Sequence, residues 1–229
     1  MIDFEKIKRA LVFCAHPDDE IVGIGGTIKK MRMKNIEVGV VTFTLGGTSY
    51  STIEMKDEME KIREDEAKAA EKVLDLSFRE ILGIPTQGIY NTKENFQKCT
   101  ELIRKYRPEV IFNHWNEDKH RDHRTISSLV DEARWKAQED VLADLGKPWY
   151  TPMLFYYEVQ DVFSHPSLVT DITDTMEFKI RAMQTQESQF PVMPGILEYI
   201  EGLAKVRGYL RGTKYGEAFE ISNLLPCRI

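Results

Sequence analysis

Two short polar strings hold the residues best suited to chemistry. The first is His16-Pro17-Asp18-Asp19-Glu20 and the second is Asp118-Lys119-His120-Arg121-Asp122-His123. Of the five histidines in the chain, only His165 lies away from these strings. Neutral imidazole and carboxylate oxygen are good zinc ligands, and a catalytic zinc site keeps three protein ligands with a further position open. His16, Asp19 and His123 can form that set if a tight turn supplies the first two and another strand end supplies the third. Asp18 and His120 are then surplus, and metal-assisted hydrolysis has a use for both. A carboxylate takes the proton of the attacking water, while a histidine stabilises the developing oxyanion or donates to the leaving amine. Asp122 can orient His120 by bonding its other ring nitrogen. Two other readings remain open: the 2-His-1-carboxylate set of a non-haem iron oxygenase, and a sugar- or metal-binding module without turnover. Asp18 and His120 favour hydrolysis, because neither alternative has an evident need for them.

These strings need a scaffold that brings strand ends together, and the hydrophobic pattern supplies one. Short β-rich runs at Ala10–Ala15, Val38–Thr44, Arg79–Leu82, Val110–Asn113 and Met153–Val159 alternate with stretches of helical period. Helices are expected around Ile21–Met31, Met55–Leu74, Glu94–Tyr106, Thr125–Gln138, Asp174–Thr185 and Ile196–Arg211. Alternation of this kind predicts an α/β fold with a mostly parallel sheet flanked by helices. No linker or internal repeat interrupts it, so residues 1–229 read as one domain. In such sheets ligands collect at the carboxyl ends of the strands. The first string directly follows the first strand, and the second lies just beyond the fourth.

With both strings in place, the chain resembles the PIG-L (LmbE-like) family of zinc-dependent N-acetylglucosaminyl deacetylases. Ala15-His16-Pro17-Asp18-Asp19-Glu20 and His120-Arg121-Asp122-His123 match its two signature motifs. The similarity continues through Arg63–Ala67, Asp171-Ile172-Thr173-Asp174, Lys179, Ser188-Gln189 and Gly212–Phe219. The resemblance implies a Rossmann-like domain and Zn2+ held by His16, Asp19 and His123, with Fe2+ or another divalent ion able to use the same ligands. It implies Asp18 as general base, His120 as electrophile or acid, Asp122 as its orienting partner, and Arg63 as a substrate-binding residue. The implied substrate is a small N-acetylated amino sugar or glycoside. Some relatives carry a basic residue just before the fifth strand, whereas this chain reads Tyr150-Thr151-Pro152-Met153 and offers none.

Composition narrows the partners. Lys plus Arg number 31 and Asp plus Glu 37, a net charge of −6. That balance gives no electrostatic footprint for nucleic acid or an anionic membrane surface. The apolar run Ala10–Ala15 is far shorter than the roughly 20 residues of a membrane span, and it lacks a signal-peptide pattern. Cys14, Cys99 and Cys227 are too scattered for a disulfide framework or a cysteine zinc site, which points to the reducing cytoplasm. A homo-oligomer is compatible with everything above. Gly23, Gly25 and Gly26 fall inside a helix instead of at the turn after a strand, so close packing or close approach of substrate explains them better than a dinucleotide. The Lys56–Lys72 stretch reads as an exposed helix face with i,i+4 ion pairs. Phe155, Tyr156 and Tyr157 read as strand core. Glu20, His114, Asp118 and His165 receive no catalytic role.

Overall fold

The strands alternate apolar side chains to opposite faces, and that alternation divides the protein into two cores. In the computed structural model, which describes residues 7–225, β1 (Arg9–Cys14) turns Ala10, Val12 and Cys14 to one face and Leu11 and Phe13 to the other. β2 (Glu37–Thr42) and β4 (Val110–His114) divide in the same way, as period-2 geometry requires of strands buried on both sides. On the first face lie α1 (Asp19–Met33), α2 (Met59–Leu74), α5 (Met176–Gln184) and α6 (Ile196–Arg211). On the second lie α3 (Lys93–Tyr106) and α4 (Arg121–Ala137).

The sheet has seven strands in the order β3-β2-β1-β4-β5-β7-β6, completed by β3 (Phe78–Ile81), β5 (Met153–Tyr157), β6 (Leu168–Asp171) and β7 (Gly216–Ile221). β7 runs antiparallel to both of its neighbours, and the other pairings are parallel. The sequence reading placed the first five strands and omitted β6 and β7. β6 has only four residues, all half-buried, and β7 carries a buried glutamate, Glu217, that interrupts its apolar pattern. The chain winds outward in opposite directions from β1 and β4. Their carboxyl ends therefore flank the switch point at which open α/β sheets bind ligands.

Two buried cations brace this frame. Arg104 on α3 donates to the carbonyls of 136, 137, 139, 141, 142 and 146, tying down the loop after α4. Arg79 on β3 lies 2.5 Å from Glu20 at the start of α1, and both side chains are almost wholly buried. Glu20 is thus half of an interior ion pair, not a solvated first-turn acid. Arg79→Met should leave a buried carboxylate without its cation and cost about 3–5 kcal/mol in urea unfolding, whereas the Glu20→Gln/Arg79→Met double variant should recover most of the loss. A single variant with wild-type stability would refute the pairing. Cys14 and Cys99 are buried free thiols, and Cys227 lies outside the described residues.

Candidate metal centre

The turn after β1 is short and tied to itself. The backbone N–H of His16 donates to Asp19 Oδ2 at 2.7 Å, which draws the Asp19 carboxylate back toward the strand end. Asp18 occupies the N-cap position of α1 but makes no side-chain cap bond, so its carboxylate is not spent on the helix end. Its Oδ2 instead lies 3.0 Å from Nη2 of Arg63. That arginine is only 1% exposed and is reached from α2. It belongs to a chain of contacts in which Nη1 donates to Gln186 and faces Glu66, while Glu66 accepts from the N–H and hydroxyl of Ser188. The exposed-face reading of Lys56–Lys72 holds for pairs such as Lys61–Asp65 and fails for Arg63 and Glu66, which turn inward.

The second string arrives on α4, which begins at Arg121 instead of near Thr125. Its N-cap is His120, whose Nδ1 accepts the N–H of Asp122 at 3.2 Å. An imidazole cap is outside the usual Ser, Thr, Asp and Asn signal, hence the late start expected from sequence. One consequence is that Asp122 and His123 lie in the first helical turn and point into the interior. Another is that the Asp122 carboxylate does not sit on the His120 ring, as the sequence suggested. Asp122 Oδ2 accepts from the N–H of Gln87 at 3.0 Å and lies 3.4 Å from Nε2 of His16. With Nδ1 of His120 taken as an acceptor, its ring proton belongs on Nε2.

His16, Asp19 and His123 converge, each offering a ligand atom within 4.8 Å of the others. Zinc bonds of about 2.0–2.2 Å require donors no more than roughly 4 Å apart, so closure needs only small shifts. His123 Nε2 lies 3.3 Å from Asp19 Oδ1 and His16 Nδ1 lies 3.4 Å from Asp19 Oδ2. Both ring nitrogens of His123 and Asp122 Oδ1 are buried without a directed hydrogen bond among the described residues. Orphaned interior lone pairs in a nitrogen and oxygen donor set suit a borderline dication, so these residues fit a metal ion. The electrostatics agree. Burial opposes charge on His16, but Asp19 and Asp122 outweigh it and lift the imidazole to about 10. His123 is lifted to about 9 in the same way, by Asp19 and Asp118 against burial. Burial also opposes charge on Asp19, yet His123, His114 and His16 hold its carboxyl well below the usual range. This field attracts cations.

Two groups that the sequence left without a role, Asp118 and His114, stand behind His16, Asp19 and His123. Asp118 is 1% exposed and lies 3.2 Å from Nδ1 of His123. It also accepts the backbone N–H of His120 and of Gln160, and His123 holds its carboxyl at about 2 against burial. The signal for it was its place two residues before His120, since ligating histidines almost always lean on a carboxylate. His114, fully buried, stacks on His123 with ring centroids 3.9 Å apart, and its Nε2 accepts from the N–H of Ala15 while facing Asp19. Burial and His123 push its imidazole down to about 4. Tyr157 is core, as expected of the 155–157 run, and its hydroxyl donates to the Phe13 carbonyl beside His114. His165 is an exposed loop residue. The 150–153 segment enters β5 at its amino end, the far edge of the sheet from these groups.

His16, Asp18, Asp19, Arg63, His120 and His123 line one cavity of about 560 Å3, with Asp118, His114 and Asp122 buried behind them. Burial, together with His123 and His16, lowers the basicity of His120. The lining also takes in apolar groups, Val159, Val192, Met193, Ile196 and the ring of Tyr199. No described helix is long and apolar enough to cross a membrane.

Comparison with known proteins adds independent support. Residues 11–134 match the family model for PIG-L, GlcNAc-PI de-N-acetylase. The chain is 30% identical to a diacetylchitobiose deacetylase of Thermococcus kodakarensis, over 93% of this chain and 83% of that protein. The structure matches that of N,N'-diacetylchitobiose deacetylase from Pyrococcus horikoshii, with a TM-score of 0.87 and 28% identity over 96% of this chain and 86% of the other. It also matches GalB, a 4-carboxy-2-hydroxymuconate hydratase from Pseudomonas putida KT2440, with a TM-score of 0.84 and 24% identity over 97% and 98%. The same fold thus carries a hydratase, and only the residues of the site can decide the reaction.

Proposed function

Since the chain belongs to the PIG-L family, we propose that it is a metal-dependent N-deacetylase that releases acetate from a small N-acetylglucosamine-type glycoside. The observation that carries this reading is the joining, in one cavity wall, of a His16/Asp19/His123 donor set with the Asp18 carboxylate and the His120 imidazole. A divalent cation held there, which we assign as zinc, supplies Lewis acidity toward water and the acyl oxygen. The protein does the rest with its own groups. Asp18, steadied by Arg63, takes a proton from the water as it attacks the acetyl carbon. His120 donates its Nε2–H to the oxygen on which charge develops. Because its Nδ1 is occupied by the N–H of Asp122, we assign His120 as the electrophile and not the acid. The proton on Asp18 therefore passes to the departing nitrogen, and the products are acetate and the free amine. Asp122 backs His16 and Asp118 backs His123, each fixing a ligand ring. Arg63 lines the cavity, and we keep it as the substrate-side residue whose first task is to hold Asp18. We place the enzyme in the cytoplasm, where buried free thiols such as Cys14 and Cys99 persist.

The test is acetate release from a panel of N-acetylglucosamine glycosides by metal-analysed protein, by chelator-stripped protein, and by stripped protein reloaded with Zn2+ or Fe2+. Activity lost on stripping and restored by Zn2+ is the expected result. Oxygen consumption with Fe2+ and a co-substrate would replace this reading with an oxygenase, and tight sugar binding without turnover would replace it with a binding module.

A further inference from the structure

The glycines of α1, Lys179 and the Gly216–Phe219 stretch meet at one place that the proposed chemistry does not use. α1 is not a continuous helix, because Ile24 sits at φ −140° and ψ 18° and breaks it. The N–H groups of Gly26 and Thr27, which an unbroken helix would pair with residues 22 and 23, donate instead to Oε1 and Oε2 of Glu217 at 2.9 and 2.7 Å. Across the break, the Val22 carbonyl accepts from Nζ of Lys179 at 2.8 Å, and the same ammonium lies 2.6 Å from Glu217 Oε1. A carboxylate from β7 thus caps the amino end of the rear segment. An ammonium from α5 caps the carboxyl end of the front segment. Each charge stands where the helix dipole favours it. The glycines make room for this joint. A Cβ at Gly23 would lie 2.3 Å from the Tyr157 ring, one at Gly26 2.8 Å from Ile172, and one at Gly25 3.3 Å from Cγ of Lys179.

Stability alone is a weak reason for such a pair, since apolar residues of similar volume often serve a buried position as well or better. What the pair does fix is direction. The front segment begins with Asp19, follows Asp18, and contributes Val22 to the cavity wall. We infer that Lys179 and Glu217 are positioning residues, which join the two segments of α1 at a set angle and so hold Asp18 and Asp19 on the cavity. The inference rests on the reading of Asp18 as base and Asp19 as ligand given above.

The experiment compares Lys179→Met, Glu217→Gln and their double variant with Arg104→Met, which removes an equally buried cation remote from the cavity. Each full-length protein is measured for unfolding midpoint, zinc affinity by chelator competition, the visible spectrum of its Co2+ form, and kcat and KM. The joint variants should lose about 10–100-fold in zinc affinity, shift the Co2+ bands, and lose about 10–100-fold in kcat with KM little changed. Arg104→Met should lower the midpoint and move none of the other readouts. Folded joint variants with wild-type zinc affinity and spectrum would show that the pair serves stability only. Where those variants fail to fold, Gly25→Ala is the milder probe, because its Cβ presses on the Lys179 stem. A smaller change in the same direction is expected from it, and an unchanged Co2+ spectrum and kcat would overturn the inference. Zinc affinity and spectrum need no substrate, so wild-type silence on every N-acetyl sugar would sink the functional proposal and leave this test standing.

Discussion

Asp18→Asn is expected to keep its metal and lose about 10²–10⁴ in kcat, or ~2.7–5.5 kcal/mol of transition-state stabilisation. The substitution is nearly isosteric, and the amide oxygen can still accept from Arg63, which lies 3.0 Å from the carboxylate in the native protein. What disappears is the ability to take a proton from water and hand it to the amine. Because Asp18 is outside the converging ligand set, metal content should stay at the wild-type level. The check is acetate release per metal-loaded site, with metal measured on the same sample. Turnover within a few-fold of wild type would remove Asp18 from the mechanism, and loss of metal would make it a ligand.

The division of labour between the two acids explains which parts of the site were legible in the sequence. His16, Asp18 and Asp19 were readable because a polar string placed directly after a strand at the sheet's switch point has few other uses. His123 was readable through its match in residue type, not through its position, since the helix that presents it was expected to begin four residues later. The missing signal was physical: an imidazole replaced the usual small polar N-cap. The partner of Asp122 was misread for a related reason. Sequence adjacency suggested His120, yet the first turn of α4 directs the Asp122 carboxylate inward to His16, which arrives from another strand. Contacts between distant segments were the least visible. Asp118 reaching His123, His114 stacked on it, and Glu217 capping an interior helix break all depend on tertiary placement that a linear pattern does not encode. Strand β7 was overlooked because of the same Glu217, a charged residue whose partners are backbone amides of α1 and the Lys179 ammonium. The alternation of five strands with helices survived these losses, since it depends on total apolar periodicity and not on any single residue.

The strength of the metal centre should follow the order in which its groups touch the ion. His123→Ala removes a buried ring whose nitrogens have no directed partner and leaves Asp19 and Asp118 facing each other without the ring between them. We expect this variant to be isolated with little or no metal and to be inactive. A cation that binds only the native state stabilises it by about 2.7 kcal/mol at a hundredfold excess over its Kd, and the rise in unfolding temperature expected on adding zinc to the wild type should vanish in the variant. Asp118→Asn is the graded comparison. It keeps the His123 ring in place through an amide oxygen but withdraws the charge that favours ring-to-metal donation, and its zinc affinity should fall about 10–100-fold with the metal still bound at high concentration. Chelator competition separates the two outcomes, because a ligand loss abolishes binding and a backing-group loss shifts it. A His123→Ala protein that holds one zinc as tightly as wild type would overturn the ligand set and force the search to His114, the next nitrogen against Asp19.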